Sequence, residues 1–370
     1  MNFFEKNSNE LASMYIVYES PVSQETPELA GISHLLEHMM CCSLDDLHES
    51  FEQHALTMNA YTGNDEVVFY LSGLESELVK FRDLYLQRIT QYIPQEKHFK
   101  KELGIVKQEY LDHYNSGDSA RLMNLLSGKY GVVGPIGSWE ALENVNFEQV
   151  LEFHSRAFSK PTKFLYVGPN EFKSNLEFTE PVRHKKISVR NINNDVPLNE
   201  NSIPLFVIGK PVDSEELYLA SVISSMLGHG FSSPLIQELR EKQSLCYGAE
   251  ASSLEVAEGL VPVLVTSVKA ANLERAKETM LEILREHEKH MTVERFNRIM
   301  ENVKISIKMQ DQTPTSGALR RILRAGEKRF SIRQNLDAIT YEKVMDFYHK
   351  AYNPESTEFE VLTQKEISEL

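Results

Sequence analysis

The chain has 370 residues, with 54 acidic side chains against 39 basic ones and a formal charge of −15. That length is usual for about two domains, and the acidic balance argues against nucleic acid as a partner, because phosphate binding needs a basic stripe. No run of about 18 apolar residues is present, so no membrane span is expected, and three cysteines are too few for a disulfide framework. Met1-Asn2-Phe3-Phe4-Glu5-Lys6 has neither a basic start nor an apolar core. No secretory signal is therefore expected, and the expected compartment is the cytoplasm.

The first informative segment is His34-Leu35-Leu36-Glu37-His38. On a helix, positions four apart lie on one face, one turn apart. This sets two imidazoles side by side, able to grip one metal ion. Glu37 borders the same face, where a carboxylate can reach a water at the metal without being a ligand. Gly31-Ile32-Ser33 leads in, with Ser33 as the expected N-cap. Leu35, Leu36, Met39 and Met40 surround the polar triplet. A helix apolar on nearly all sides is buried, and burying two His and a Glu without partners is costly, so a metal is the natural compensation. A surface helix that happens to carry two histidines is the competing reading. Cys41, three residues after His38, reads as a buried thiol and not as a ligand.

Val67–Leu71 is β-branched and aromatic, bounded by Gly63-Asn64-Asp65 and Gly73, and reads as a strand. Phe99–Glu109 reads as a helix on which Glu102 and Glu109 share a face and Leu103 and Val106 pack inward. Paired Glu on a helix is usually solvated; beside the first motif, this pair offers the third protein ligand that a catalytic zinc needs. From about Asn175 to Ser202 the chain is mostly polar and reads as a linker. The strand Pro204–Ile208 follows, then helical patterns over 272–290 and 293–308. Ala276, Met280, Ile283 and Leu284 recur at helical spacing as core. His287-Glu288-Lys289-His290 has metal-like spacing, but on a highly charged helix end it is expected to stand in solvent.

Taken together, these segments resemble the M16 family of zinc metallopeptidases. That family follows H-x-x-E-H with a Glu ligand inside E-x-x-x-x-x-x-E; here 70 residues lie between His38 and Glu109, and Glu102 holds the earlier Glu position. Asn59-Ala60-Tyr61-Thr62, followed by Glu66–Tyr70, resembles a segment that in the family leads into an edge strand pairing with extended substrate. Gly134-Pro135-Ile136-Gly137-Ser138 and Val167-Gly168 are similar to the end of the family's first domain. Gly230-Phe231-Ser232-Ser233 through Arg240 to Tyr247 is similar to its G-x-S-S…R…Y pattern. Two departures stand out. Met39–Ser43 runs into Asp45-Asp46 where most members have a short Gly-Thr turn, and Pro234 stands where Arg is common.

The resemblance implies an α+β fold of two related domains, each a mostly antiparallel β-sheet covered by α-helices, together half of a clamshell. The expected division is residues 1–175, a linker at 176–202, and 203–370. It implies one Zn2+ per chain held by His34, His38 and Glu109, with Glu37 as general base and Glu102 orienting a ligand or water. Arg240 and Tyr247 would contact substrate and the tetrahedral intermediate. Asn59, Ala60, Tyr61 and Thr62 would hold an extended peptide by strand addition. The implied activity is zinc-dependent endopeptidase cleavage of unfolded or extended peptides and proteins inside a closed chamber. Two such units close that chamber, so a homodimer, or a heterodimer with an M16 paralogue, is expected, with Arg240 and Tyr247 serving the zinc of the other chain. A non-catalytic M16-like scaffold or peptide-binding subunit is the alternative, and a purely structural metal site is another.

Overall fold

Ala12-Ser13-Met14-Tyr15-Ile16-Val17-Tyr18 is nearly unbroken in apolar side chains, and all of it is buried. Such a run marks a strand covered on both faces. In the computed structural model it is the middle strand of a five-stranded sheet. The structure describes residues 1–6, 9–19, 21–63, 66–115, 135–180, 203–213, 216–256, 259–312 and 335–352. These residues group into two units, one built mainly from 1–112 and 135–180, the other mainly from 203–308 and 335–352. Of the linker expected at 176–202, residues 181–202 lie outside the described ones, as do Asn64, Asp65 and Gly134.

The first unit contains β1 (Asn2–Lys6), β2 (Leu11–Glu19), β3 (Thr57–Thr62), β4 (Glu66–Leu74) and β5 (Lys163–Gly168), in the order β1-β5-β2-β4-β3. Only β1 with β5 is parallel; the other pairs are antiparallel. Its helices are α1 (Ile32–Cys41), α2 (His48–Gln53), α3 (Glu75–Thr90), α4 (Glu96–Asn115), α5 (Trp139–Asn144) and α6 (Phe147–Ala157). The expected strand at 67–71 is β4, and it is not at the edge. The chain reverses between Thr62 and Glu66, so Asn59–Thr62 belongs to β3, which pairs with β4 alone and forms the free edge. The edge expected downstream of Asn59–Thr62 is therefore Asn59–Thr62 itself. Hairpin geometry makes the difference, because the second arm of a hairpin lies inside the first whenever it also pairs onward.

α1 is buried as its composition requires, with Leu35, Leu36, Met39 and Met40 fully covered. Its N-terminus departs from expectation. Helix geometry begins at Ile32, so Ser33 is inside the first turn and does not cap it. The cap comes from Glu25, a buried carboxylate whose two oxygens accept the N–H groups of Gly31 and Ser33, each at 2.9 Å. Gly31 holds φ +98°, and a Cβ there would stand 3.0 Å from the Ile136 carbonyl. Glycine is thus required both by the left-handed backbone and by the close approach of 136–137.

The second unit holds β6 (Ile203–Ile208), β7 (Cys246–Val256) and β8 (Gly259–Val268) in the antiparallel order β6-β8-β7. Its helices are α7 (Leu217–Gly228), α8 (Leu273–Arg285), the short α9 (His287–His290), α10 (Val293–Gln312) and α11 (Tyr341–Tyr352), with a π-helical stretch at Ile236–Lys242. One core joins Leu205 and Leu264 of the sheet to Val222 and Met226 of α7, Ala276, Met280, Ile283 and Leu284 of α8, and Val344 and Phe347 of α11. The expected core face of 272–290 is thus α8. His287 is a correction. It is half-buried, with its ring 5.1 Å from that of Tyr348 and 5.0 Å from that of His349, because α9 bends back onto α11. None of the described helices is long and apolar enough to cross a membrane.

Candidate metal centre

The helical spacing of His34 and His38 sets their rings 4.8 Å apart and nearly perpendicular. α4 crosses beneath and brings Glu109, whose Oε2 lies 3.5 Å from His34 Nε2 and 3.4 Å from His38 Nε2. Among the described residues these three form the only group of at least three His, Cys, Asp or Glu whose ligand atoms all lie within 4.8 Å of one another. Around a tetrahedral zinc with ligands at about 2.1 Å, neighbouring ligand atoms stand about 3.4 Å apart. The two His–Glu edges already have nearly that length. Burial, with the neighbouring His38 second, holds His34 down at about 4, so its imidazole is neutral at ordinary pH, the form that ligates. Glu109 keeps a 46% exposed side chain, which leaves the cluster open on one side. That openness is what a catalytic metal site needs and a structural one lacks.

Glu37 lies beside this cluster, buried, and accepts the Thr62 hydroxyl at 2.7 Å. Burial raises its pKa, outweighing the bond from Thr62 and the nearness of His38. A carboxyl raised toward neutrality is suited to proton transfer. Thr62, grouped by sequence with the substrate strand, therefore turns its hydroxyl inward to Glu37. Asn59 and Ala60 stay on the free edge, where the Ala60 N–H is held by the Asn59 side chain at 2.8 Å.

Glu102 is buried two turns nearer the N-terminus of α4, and Leu103 is only half-buried while Val106 is fully so. Glu102 Oε2 lies 3.3 Å from His38 Nδ1. Its other oxygen takes the thiol of Cys42 at 3.1 Å and the ammonium of Lys101 at 3.0 Å. Burial alone pushes Glu102 up, but the bonds from Cys42, Lys101 and His38 together hold its carboxyl below the usual range. A proton on His38 Nδ1, held by Glu102, leaves Nε2 free to ligate. Cys41 is half-buried and outside the ligand group.

Arg240 and Tyr247 belong to the second unit, where they meet each other. The Arg240 guanidinium lies 5.3 Å from the Tyr247 ring and 5.6 Å from the Phe231 ring. Both rings are largely in solvent, Tyr247 at 89% and Phe231 at 74% exposed. The buried Arg295 pins the loop carrying Phe231, donating to the carbonyls of Met226 at 2.6 Å and Ser232 at 2.8 Å. Sequence reasoning missed Glu25, Cys42, Phe231 and Arg295, whose contacts arise only when distant segments cross.

Residues 5–131 match the family model described as insulinase, peptidase family M16, and residues 144–303 match that described as the peptidase M16 inactive domain. The chain belongs to peptidase family M16. His34, His38 and Glu109 all lie inside the first match and outside the second. An uncharacterized zinc protease of Rickettsia felis is 24% identical to this M16 chain over 319 residues, covering 78% of this chain and 77% of that one. The crystal structure of a protease from Helicobacter pylori superposes with a TM-score of 0.73 at 16% identity, over 93% of this chain and 92% of that chain. The periplasmic protease PqqL from Escherichia coli superposes with a TM-score of 0.65 at 15% identity, over 95% of this chain and 44% of that chain. The structural likenesses carry the mixed α/β architecture with its two sheets.

Proposed function

We propose that this M16 chain is a zinc-dependent endopeptidase acting on extended or unfolded peptides. The observation that carries the reading is the convergence of His34, His38 and Glu109 on one point with Glu37 beside them. The donor set, two imidazoles and one carboxylate, suits zinc. A zinc ion held there supplies positive charge that makes water more acidic and polarises a carbonyl. Glu37 takes the proton of the attacking water and hands it to the departing amine. Thr62 holds the carboxylate of Glu37 in place for both transfers. The free edge of β3 takes the substrate backbone as an added strand, which tolerates varied side chains. Tyr247 donates to the developing oxyanion, a contribution of about 2–4 kcal/mol, and Arg240 contacts the substrate.

The acting assembly in this proposal is a dimer, of two copies or of this chain with a paralogue, in which each second unit serves the other chain's metal. The motivating observation is the exposed Arg240–Tyr247–Phe231 cluster. The test is cleavage of an unfolded peptide with and without a chelator, beside Glu37→Gln, with bound zinc measured in each. The expected result is about one zinc per chain, loss of cleavage on chelation, and a zinc-loaded but inactive Glu37→Gln. Full cleavage by that variant removes Glu37 from its role. Bound zinc without any cleavage by the native chain favours the non-catalytic subunit.

A further inference from the structure

The turn after α1, Cys42–Leu47, is where this chain leaves the short Gly-Thr turn of its family, and it lays Cys42 against α4. The thiol is 8% exposed and stays protonated, since burial, then Glu102, push it up to about 12. It is therefore a donor. It reaches Glu102 Oε1 at 3.1 Å, while Glu102 Oε2 faces His38 Nδ1 at 3.3 Å and His38 Nε2 faces Glu109 at 3.4 Å. The chain of contacts Cys42–Glu102–His38 thus ends on a ligand atom. Lys101 also touches Glu102 Oε1, but its side chain is 54% exposed and divides itself with Asp45 at 3.4 Å. A long exposed side chain with two partners fixes a carboxylate weakly, because it competes with water and with its own rotamers. The buried thiol does not.

We propose that Cys42 is a positioning residue for the metal centre: its thiol fixes the Glu102 carboxylate, which fixes the His38 ring for zinc. The inference rests on the zinc reading above. A partner bonded directly to a ligating His, as Glu102 is to His38, typically changes metal affinity by about 10–100-fold when removed, and Cys42 acts through that partner. Ser keeps a donor at this position, and Ala removes it.

The experiment measures zinc affinity of the full chain by competition with a chromophoric chelator. It compares the native protein, Cys42→Ala, Cys42→Ser, Glu102→Gln, Cys42→Ala with Glu102→Gln, and His34→Ala as a ligand control. Unfolding temperature is followed in each. The expected result is a loss of about tenfold or more in Cys42→Ala, near-native affinity in Cys42→Ser, and no further loss when Cys42→Ala is added to Glu102→Gln. Native affinity in Cys42→Ala, with zinc lost in His34→Ala, overturns the positioning role and leaves the zinc site standing. Full additivity with Glu102→Gln, or Cys42→Ser as weak as Cys42→Ala at unchanged unfolding temperature, also overturns it. Equal affinity in native protein and His34→Ala overturns the zinc reading and this inference together.

Discussion

Glu37 and Thr62 lie 25 positions apart and meet at 2.7 Å, the tightest side-chain contact around the proposed base. A hydrogen bond to a charged group is worth about 1.5–3 kcal/mol, which corresponds to about 10–100-fold in rate if it is needed in the transition state. Thr62→Val is therefore expected to lower kcat by about that factor with KM little changed, and Thr62→Ser to restore most of it. Steady-state kinetics on one peptide check this; an unchanged kcat in Thr62→Val removes Thr62 from the proton-transfer apparatus. The residues of the centre were unequally legible. His34, Glu37 and His38 fall inside one five-residue helical repeat, so their common face follows from the period alone. Glu109 was legible only as one acid of a spaced pair. Thr62 and Cys42 gave no local signal, since each acts through a contact made when β3 or the turn after α1 meets another element.

Glu25 governs the element that carries the ligands. It satisfies two N–H groups at the start of α1 that would otherwise be orphaned in the core. Burial raises its pKa from the usual value to about 7, outweighing those same hydrogen bonds. A carboxyl raised on folding binds its proton more tightly in the folded state. Its stabilising effect is complete below about 4.5, falls as pH rises through about 7, and is flat beyond. The full swing is about 3 kcal/mol. Denaturant unfolding at pH 5, 6, 7 and 8 is expected to show the native protein losing stability relative to Glu25→Gln as pH rises, by an amount of that order. A difference independent of pH contradicts the assignment. The edge strand gives a second test. Gly63 N–H donates to Glu66 O at 2.7 Å, so by antiparallel alternation Asn59 and Tyr61 bond to β4 and Ala60 turns outward. Proline is tolerated on such an edge. Ala60→Pro should leave the unfolding temperature nearly unchanged yet cost about 1 kcal/mol, about fivefold, in kcat/KM for an extended peptide. The helix α1 was legible here from its spacing and β4 from its β-branched and aromatic run, but which arm of the hairpin is outermost depends on β2 pairing with β4 from a distance, and no local pattern encodes that.

At the scale of the whole molecule, length indicated about two domains and the family resemblance two sheet-and-helix halves, and both sheets are present among the described residues. The sequence also placed the candidate ligands His34, His38 and Glu109 in one half and the Arg240–Tyr247 pair in the other. What a single sequence does not encode is whether, in the proposed dimer, that pair would serve the metal of its own chain or of the other. Tyr247 and Phe231 are largely exposed, with the Arg240 guanidinium 5.3 Å and 5.6 Å from their rings. If that cluster works across a symmetric dimer, two inactive variants can complement each other. His34→Ala lacks a ligand but keeps Tyr247; Tyr247→Phe lacks the hydroxyl but keeps the ligands. After full subunit exchange of an equal mixture, about half of the dimers are mixed. In each mixed dimer one site combines the intact ligands of one chain with the intact Tyr247 of the other, and the second site carries both defects. The mixture should therefore regain about a quarter of native activity, well above the sum of the two variants alone. If Tyr247 instead serves the metal of its own chain, no site in a mixed dimer is whole, and the mixture stays at the average of its components however completely the subunits exchange. Mass spectrometry of isotopically labelled variants establishes the exchange, so the activity of the mixture discriminates between the two arrangements.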